Sequence, residues 1–169
     1  MIHYLTGDAT KPCVEDGNRV ILHVVNDAGK WGAGFSGAIS RQWDEPEKHY
    51  RAKARFAKES FNLGNVQWIF VDLELAIVNM IAQHGVSRDL INKRPIRYDS
   101  LEICLEKSAD GIRALSGGGP EKDRKVTVHM PRIGCGLAGG SWDVVGGLVE
   151  ETLWDLEVYV YDKKKENNK

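Results

Sequence analysis

The alternation of strand-like and helix-like segments predicts an α/β chain, a three-layer α/β/α fold with a mixed central sheet. Three observations carry that prediction. Arg19–Val25 is almost continuously apolar and β-branched, as a strand buried on both faces requires. Tyr98–Leu115 places Leu101, Cys104, Leu105, Ser108, Ile112 and Leu115 on one helical stripe. Only Asp72-Leu73-Glu74 separates the strand-like runs Val66–Val71 and Leu75–Ala82, and so short a connection makes a hairpin, so the sheet is not wholly parallel.

The remaining elements follow in order. Ile2–Leu5 reads as a short strand closed by Thr6-Gly7-Asp8. Ser36–Trp43 and Glu47–Lys58 read as helices, with a break expected near Pro46. Ser116-Gly117-Gly118-Gly119-Pro120 ends the long helix and opens a polar loop through Arg124. Val126–Met130 is a strand. Ser141 is placed to cap a helix running to about Leu153, with Trp142, Val145, Val149 and Leu153 inward. Gly146-Gly147 inside that helix costs roughly 1 kcal/mol per glycine relative to alanine, and close packing on the sheet would explain the pair. Leu156–Tyr161 is the last strand. One domain is expected over residues 1–162, followed by a polar tail, 163–169, expected to fray.

Composition narrows the class. The 169 residues are 42% hydrophobic and 28% charged, which excludes a disordered or fibrous chain. Lys+Arg number 23 and Asp+Glu 24, so no global field recruits nucleic acid or an anionic membrane. An anionic ligand must then be held by local geometry. The three cysteines, Cys13, Cys104 and Cys135, make no disulfide framework and suit a reducing cytoplasm. No Cys-x-x-Cys pair or His/Cys cluster suggests a metal, and no cofactor is expected. No basic leader and no apolar run of about 18 to 20 residues suggests export or a membrane span. No heptad or exposed apolar stripe demands a partner chain, so a monomer is expected.

In open α/β sheets, ligands collect beyond the carboxyl ends of the strands. The segments found there are Gly7-Asp8-Ala9, Asn26 to Phe35, Gln83-His84-Gly85, and Pro131 to Gly140. Two of the four are glycine-rich and lead into helices. Glycine lets backbone N–H groups turn toward a phosphate, unobstructed by Cβ. Gly134-x-Gly136-x-x-Gly139 matches the dinucleotide fingerprint in letters, but no acidic residue follows at the right distance and no Gly-Lys-Ser/Thr is present. Taken singly, each loop reads equally well as turns that need positive φ. Two such loops at one sheet edge favour a diphosphate cradle.

Together the loops resemble a macrodomain, the ADP-ribose-binding module. The resemblance rests on Gly7-Asp8-Ala9-Thr10, His23-Val24-Val25-Asn26, Trp31-Gly32-Ala33-Gly34 and Met130-Pro131-Arg132-Ile133-Gly134-Cys135-Gly136-Leu137. The last run is similar to the branch of the terminal ADP-ribose protein glycohydrolase. The Trp-Gly-x-Gly segment, with Glu45-Pro46-Glu47-Lys48-x-Tyr50 after it, is similar to the ADP-ribose-1″-phosphate phosphatase of yeast. The resemblance implies a six- or seven-stranded mixed sheet, with ADP-ribose or an ADP-ribosylated molecule in a cleft across its edge. It implies that Asp8, beside Ala9, accepts from the adenine amine; the residue alone reads as a turn cap. It implies that Gly32, Ala33, Gly34 and Phe35, with Ile133, Gly134, Cys135, Gly136, Leu137 and Ala138, hold the diphosphate through main-chain amides. Asn26 would meet the distal ribose, or merely cap its turn. Tyr161 would lie near adenine, or serve as a core tyrosine. Trp31 would cover the ligand or pack beneath it, and Cys135 reads as packing under the phosphate loop. Lys93, Arg94 and Arg97 read as a solvated loop before a pocket rim.

The glycohydrolase branch uses a lysine at the end of a middle strand and an aspartate after the Ile-Gly-Cys-Gly-Leu run. Here Gln83 and Ala138 occupy those places, and neither can form a covalent adduct or move a proton. Gln83 could still bond a ribose hydroxyl or hold a water. The remaining catalytic candidates are His84, Asp27 and Asn26; an imidazole at a strand's carboxyl end suits general acid or base work. His23, inside Val20–Val25, reads as a core histidine. The expected function is a hydrolase acting on ADP-ribosyl compounds by water attack at the distal ribose. The alternative is a reader that binds ADP-ribose without turnover. Near-neutral charge and the absence of a basic-aromatic stripe count against an extended nucleic-acid surface.

Overall fold

The computed structural model describes residues 1–86, 94–117 and 125–164. Lys93, the loop from Gly118 to Arg124, and the tail from residue 165 onward lie outside the described residues. Six strands form one sheet: β1 (Ile2–Thr6), β2 (Asn18–Asn26), β3 (Val66–Phe70), β4 (Leu75–Gln83), β5 (Val126–Pro131) and β6 (Glu157–Asp162). The order across it is β1-β6-β5-β2-β4-β3. β3 runs antiparallel to β4, and every other pairing is parallel. The mixed sheet and the hairpin are as the three-residue connection required.

Side-chain alternation divides the core between two faces. Val20, Leu22, Val78, Met80, Val128, Met130, Val158 and Val160 share one buried cluster with Leu101, Leu105, Ile112, Val145 and Val149. That face is covered by α3 (Tyr98–Gly117) and α4 (Trp142–Thr152). Ile21 and Ile77 pack with Ile39, and Val25 and Ile81 with Tyr50, under α1 (Phe35–Ser40) and α2 (Glu45–Phe56). Among the described residues, no helix is long and apolar enough to cross a membrane.

Three local expectations need correction. The break between the two helices falls at residues 41–44, just before Pro46, which itself stands in the first turn of α2, where its missing N–H has no intrahelical partner to lose. α2 therefore starts before Glu47 and ends at Phe56, and α1 is shorter than expected. Ser141 occupies the N-cap of α4, but its side chain makes no capping bond. Its backbone N–H instead donates to the Tyr98 hydroxyl at 3.0 Å. Gly146 does not owe its place to the sheet: a Cβ there would lie 3.1 Å from the Trp142 indole nitrogen, while a Cβ on Gly147 would meet nothing within 4 Å.

The parallel strands deliver the segments after β1, β2, β4, β5 and β6 to one edge of the sheet. That edge carries the site.

Candidate functional site

A cavity of about 870 Å³ opens at this edge, between the loop after β2 and the loop after β5. The first loop is organised around Asn26. Its Oδ1 accepts from the N–H groups of Ala28 (3.1 Å) and Lys30 (3.0 Å), and its Nδ2 donates to the Lys30 carbonyl at 2.7 Å. Beneath it, the fully buried Tyr50 aims its hydroxyl at the Asn26 backbone oxygen (2.6 Å) and Oδ1 (2.8 Å). Burial pushes the Tyr50 phenol well above its ordinary range, so it stays a donor. Asn26 thus caps its turn and also lines the cavity. Further along, Ser36 Oγ accepts from Gly32 N–H (3.0 Å) and donates to the Ala33 carbonyl (2.9 Å). The corner needs positive φ at Gly32 (111°) and Gly34 (64°).

Trp31 lines the cavity and is anchored from behind. Its Nε1 donates to Ser40 Oγ at 2.7 Å, which donates in turn to Glu47. Its ring meets His23 edge-on at 5.4 Å. His23 is a core histidine, 1% exposed, on the cavity floor. Asn79 Nδ2 donates to the Pro46 carbonyl and to Gln67 Oε1, both at 3.2 Å, so its Oδ1 faces His23 Nε2 at 2.5 Å. The network therefore assigns the proton to Nε2 and leaves Nδ1 a buried acceptor without a partner among the described residues. Burial holds the His23 pKa down to about 4, so the ring is neutral at neutral pH.

The second loop closes on itself: Cys135 N–H donates to Arg132 O (3.2 Å), Gly139 to Gly136 (3.1 Å) and Gly140 to Gly134 (2.8 Å). Ile96 fills the space beneath, and its N–H donates to Ala138 O at 3.1 Å. Gly134 is at φ 69°, and a Cβ there would lie 2.8 Å from Ile96 Cδ1. The Cys135 thiol is half-buried and pushed up by that burial, which disfavours a thiolate. The two loops approach each other: a Cβ on Gly34 would sit 3.6 Å from Leu137 Cδ1. Among the described residues, no hydrogen bond takes the N–H of Ala33, Gly34, Leu137 or Ala138.

At one end stand Tyr161, Asp162 and Arg132. Arg132 Nε and Nη2 grip the Asp162 carboxylate at 2.5 and 2.9 Å, which holds that carboxyl below its ordinary range. The guanidinium lies 5.5 Å from the Tyr4 ring and 5.2 Å from the Trp142 ring. Elsewhere on the rim, His84 Nδ1 lies 2.7 Å from Asp27 Oδ2, and Gly85 N–H donates to Asp27 Oδ1 at 2.9 Å. Flanking this pair, Gln83 and Val86 line the cavity; Gln83 Nε2 donates to Gly85 O at 3.0 Å.

Of the residues singled out from sequence, Asn26, Trp31, Ala33, Gly34, Phe35, Gln83, Ile133 to Ala138 and Tyr161 share the cavity wall. His84 and Asp27 meet each other at the rim but are not in that wall. Gly32 is part of the corner but not of that wall. Asp8 and Ala9 are also outside the wall: Ala9 is buried, and Asp8 Oδ1 takes the N–H (2.9 Å) and hydroxyl (2.8 Å) of Thr10, a turn cap. Arg97 folds its guanidinium onto carbonyls of its own loop, and Arg94 lies over Tyr98, so neither reaches the wall. Sequence reasoning missed Ser36, Arg132 and Asp162 as parts of the site. Only the Ser36 spacing from Gly32 carried a signal, that of a side chain closing a four-residue turn.

A mixed sheet of this order, with a cavity framed by two main-chain loops at its carboxyl edge, defines a three-layer α/β/α ligand-binding module. The chain belongs to the macrodomain family. It is 41% identical to a macrodomain protein from Streptomyces coelicolor, with 96% of this chain and 99% of that one covered and a TM-score of 0.79. A protein of unknown function from Bacteroides thetaiotaomicron is 42% identical, with 96% and 98% covered and a TM-score of 0.86. Chromodomain-helicase-DNA-binding protein 1-like of Danio rerio is 31% identical over 90% of this chain, which spans only 14% of that protein's length. The ADP-ribose 1″-phosphate phosphatase of Candida albicans is 27% identical, with 95% of this chain and 99% of that one covered. No family model matches the chain.

Proposed function

We propose that the cavity binds ADP-ribose, free or as an ADP-ribosyl group, and that the chain hydrolyses such a compound by water attack at the distal ribose. The observation that carries this reading is the pair of glycine loops, close enough that a Cβ on Gly34 would touch Leu137, with the N–H groups of Ala33, Gly34, Leu137 and Ala138 uncommitted among the described residues. Fixed amide donors can hold a diphosphate with no cationic side chain, which suits a chain of net charge −1. The Candida relative bears the name of an ADP-ribose 1″-phosphate phosphatase over nearly the whole chain, which supports the same ligand.

In this reading Tyr161 stands at the adenine end, with Asp8 at its outer edge offering Oδ2 to the exocyclic amine. Asn26 donates one amide hydrogen to Lys30 and presents the other to the distal ribose. Gln83 lies beside it. Asp27 Oδ2 lies 2.7 Å from His84 Nδ1 and orients the ring. The imidazole takes a proton from water as the water oxygen bonds to C1″. The bond from C1″ to the leaving oxygen breaks, and its electron pair departs with the phosphate or macromolecule, which is then protonated by solvent.

Titration calorimetry with ADP-ribose, AMP and NAD tests the ligand. Incubation with ADP-ribose-1″-phosphate and with ADP-ribosylated protein or nucleic acid tests turnover. The expected result is ADP-ribose binding, with hydrolysis reduced at least a hundredfold by His84→Ala. Full activity in that variant removes the assigned base. A second reading, a non-catalytic reader, is favoured by Gln83 and Ala138, both in the cavity wall, which the sequence resemblance sets at the positions of the lysine and aspartate of the glycohydrolase branch. Tight ADP-ribose binding with every substrate left intact would select it.

A further inference from the structure

Tyr161 lines the cavity, yet its hydroxyl is committed elsewhere. The Cys13 N–H donates to the phenol oxygen at 2.9 Å, and His129 Nδ1 lies 2.9 Å from the same oxygen. His129 Nε2 lies 2.9 Å from Thr127 Oγ1, and both His129 and Thr127 are fully buried. The phenol accepts from Cys13, and either tautomer of the ring ties it to His129: the phenol donates to Nδ1 while Nε2–H donates to Thr127, or Nδ1–H donates to the phenol while the Thr127 hydroxyl donates to Nε2. The imidazole is itself held in place: it stacks on Tyr159 at 5.1 Å and 10°, and Tyr159 stacks on His3 at 4.8 Å and 19°. Gly7 packs beside the same ring, where a Cβ would lie 3.5 Å from Tyr161 Cδ1, in ordinary van der Waals contact.

We propose that His129, outside the cavity wall, is a positioning residue for base recognition: it holds Tyr161 by the hydroxyl, so that the ring and not the hydroxyl meets the base. This rests on the ADP-ribose reading above. The same bonds tie the loop after β1, through Cys13, to the end of β6, so the base wall moves as one piece with that loop. A planar base gains from a tyrosine ring only when the ring is held at one angle, because a rotating ring must be ordered on binding.

The test measures dissociation constants for ADP-ribose and AMP by calorimetry, and for base-free ribose 5-phosphate by competition against ADP-ribose. The proteins are the unsubstituted chain, His129→Leu, His129→Asn, Tyr161→Phe and the double variant His129→Leu/Tyr161→Phe, with thermal melts to confirm folding. His129→Leu is expected to weaken ADP-ribose and AMP about tenfold and to leave ribose 5-phosphate within twofold. His129→Asn, which restores a hydrogen-bond partner near the Nδ1 position, recovers most of the loss. The double variant binds no more weakly than the weaker single one. Additive losses, an equal loss on ribose 5-phosphate, or no recovery with asparagine would overturn the proposal while leaving the ADP-ribose reading intact. Failure of the unsubstituted chain to bind ADP-ribose would instead overturn that reading, and this one with it. If His129→Leu does not fold, the asparagine and phenylalanine variants still decide: Tyr161→Phe must weaken the base ligands selectively.

Discussion

Gly134 is the residue where the site has least tolerance. Its φ of 69° disfavours any side chain, and a methyl would press on Ile96, which supports the whole second loop. Gly134→Ala should destabilise the chain by roughly 1–3 kcal/mol and weaken ADP-ribose at least tenfold. Thermal unfolding and calorimetric titration read the two effects separately. The glycines themselves were legible as letters, because backbone that must take positive φ leaves few other residue choices. The partners of single side chains were not. His23 could be placed in a strand, but its bond to Asn79 joins residues 56 apart, and the strand register that brings them together is set by the whole sheet. Asp8 was legible as a turn cap, and the structure shows that cap. Its distance from the cavity wall depends on how the loop after β1 folds over β6, which no local pattern encodes.

At the scale of elements, period and punctuation served well for the strands and for α3. Each strand carried a β-branched run, and the stripe from Leu101 to Ile112 is the buried face of α3. The errors fell at helix starts. Pro46 is compatible with either a break or a first turn, and only the packing of Tyr50 under the first glycine loop decides for the first turn. The two glycines of the pair in α4 stand in different surroundings. Gly146 is crowded by Trp142, whereas Gly147 faces open space. Gly147→Ala should therefore stabilise the protein by about 0.5–1 kcal/mol, with ADP-ribose affinity unchanged. Gly146→Ala should not share the gain. Paired denaturant titrations distinguish them, and a benefit from both would mean that Trp142 moves aside at no penalty.

For the molecule as a whole, two buried histidines set the response to acid. Burial lowers the pKa of both His23 and His129 to about 4, against an unfolded value near 6.5. Between those values the unfolded chain binds more protons than the folded one. The stability these neutral rings contribute is thus fully present above about pH 6.5 and is lost as the pH falls toward 4. The loss is of order 3 kcal/mol for each ring. Urea midpoints should stay flat from pH 8 to 7 and then fall steeply by pH 5; a flat profile down to pH 5 would show that these rings protonate without unfolding the chain. The exposed pairs Arg132–Asp162 and Arg113–Asp155 add little to this profile, because solvent screens them.

The order of the sheet carries one more consequence. β1 pairs with β6, with Ile2 opposite Val158 and Thr6 opposite Asp162, so more than 150 residues must be made before the opening strand finds its neighbour. A chain growing from the ribosome therefore holds that edge in waiting and lacks Tyr161 until β6 has been made. Nascent chains arrested ahead of Glu157 should be degraded readily and should not be rescued by added metabolite. Extension past β6 should confer both protease resistance and ligand uptake in a single step.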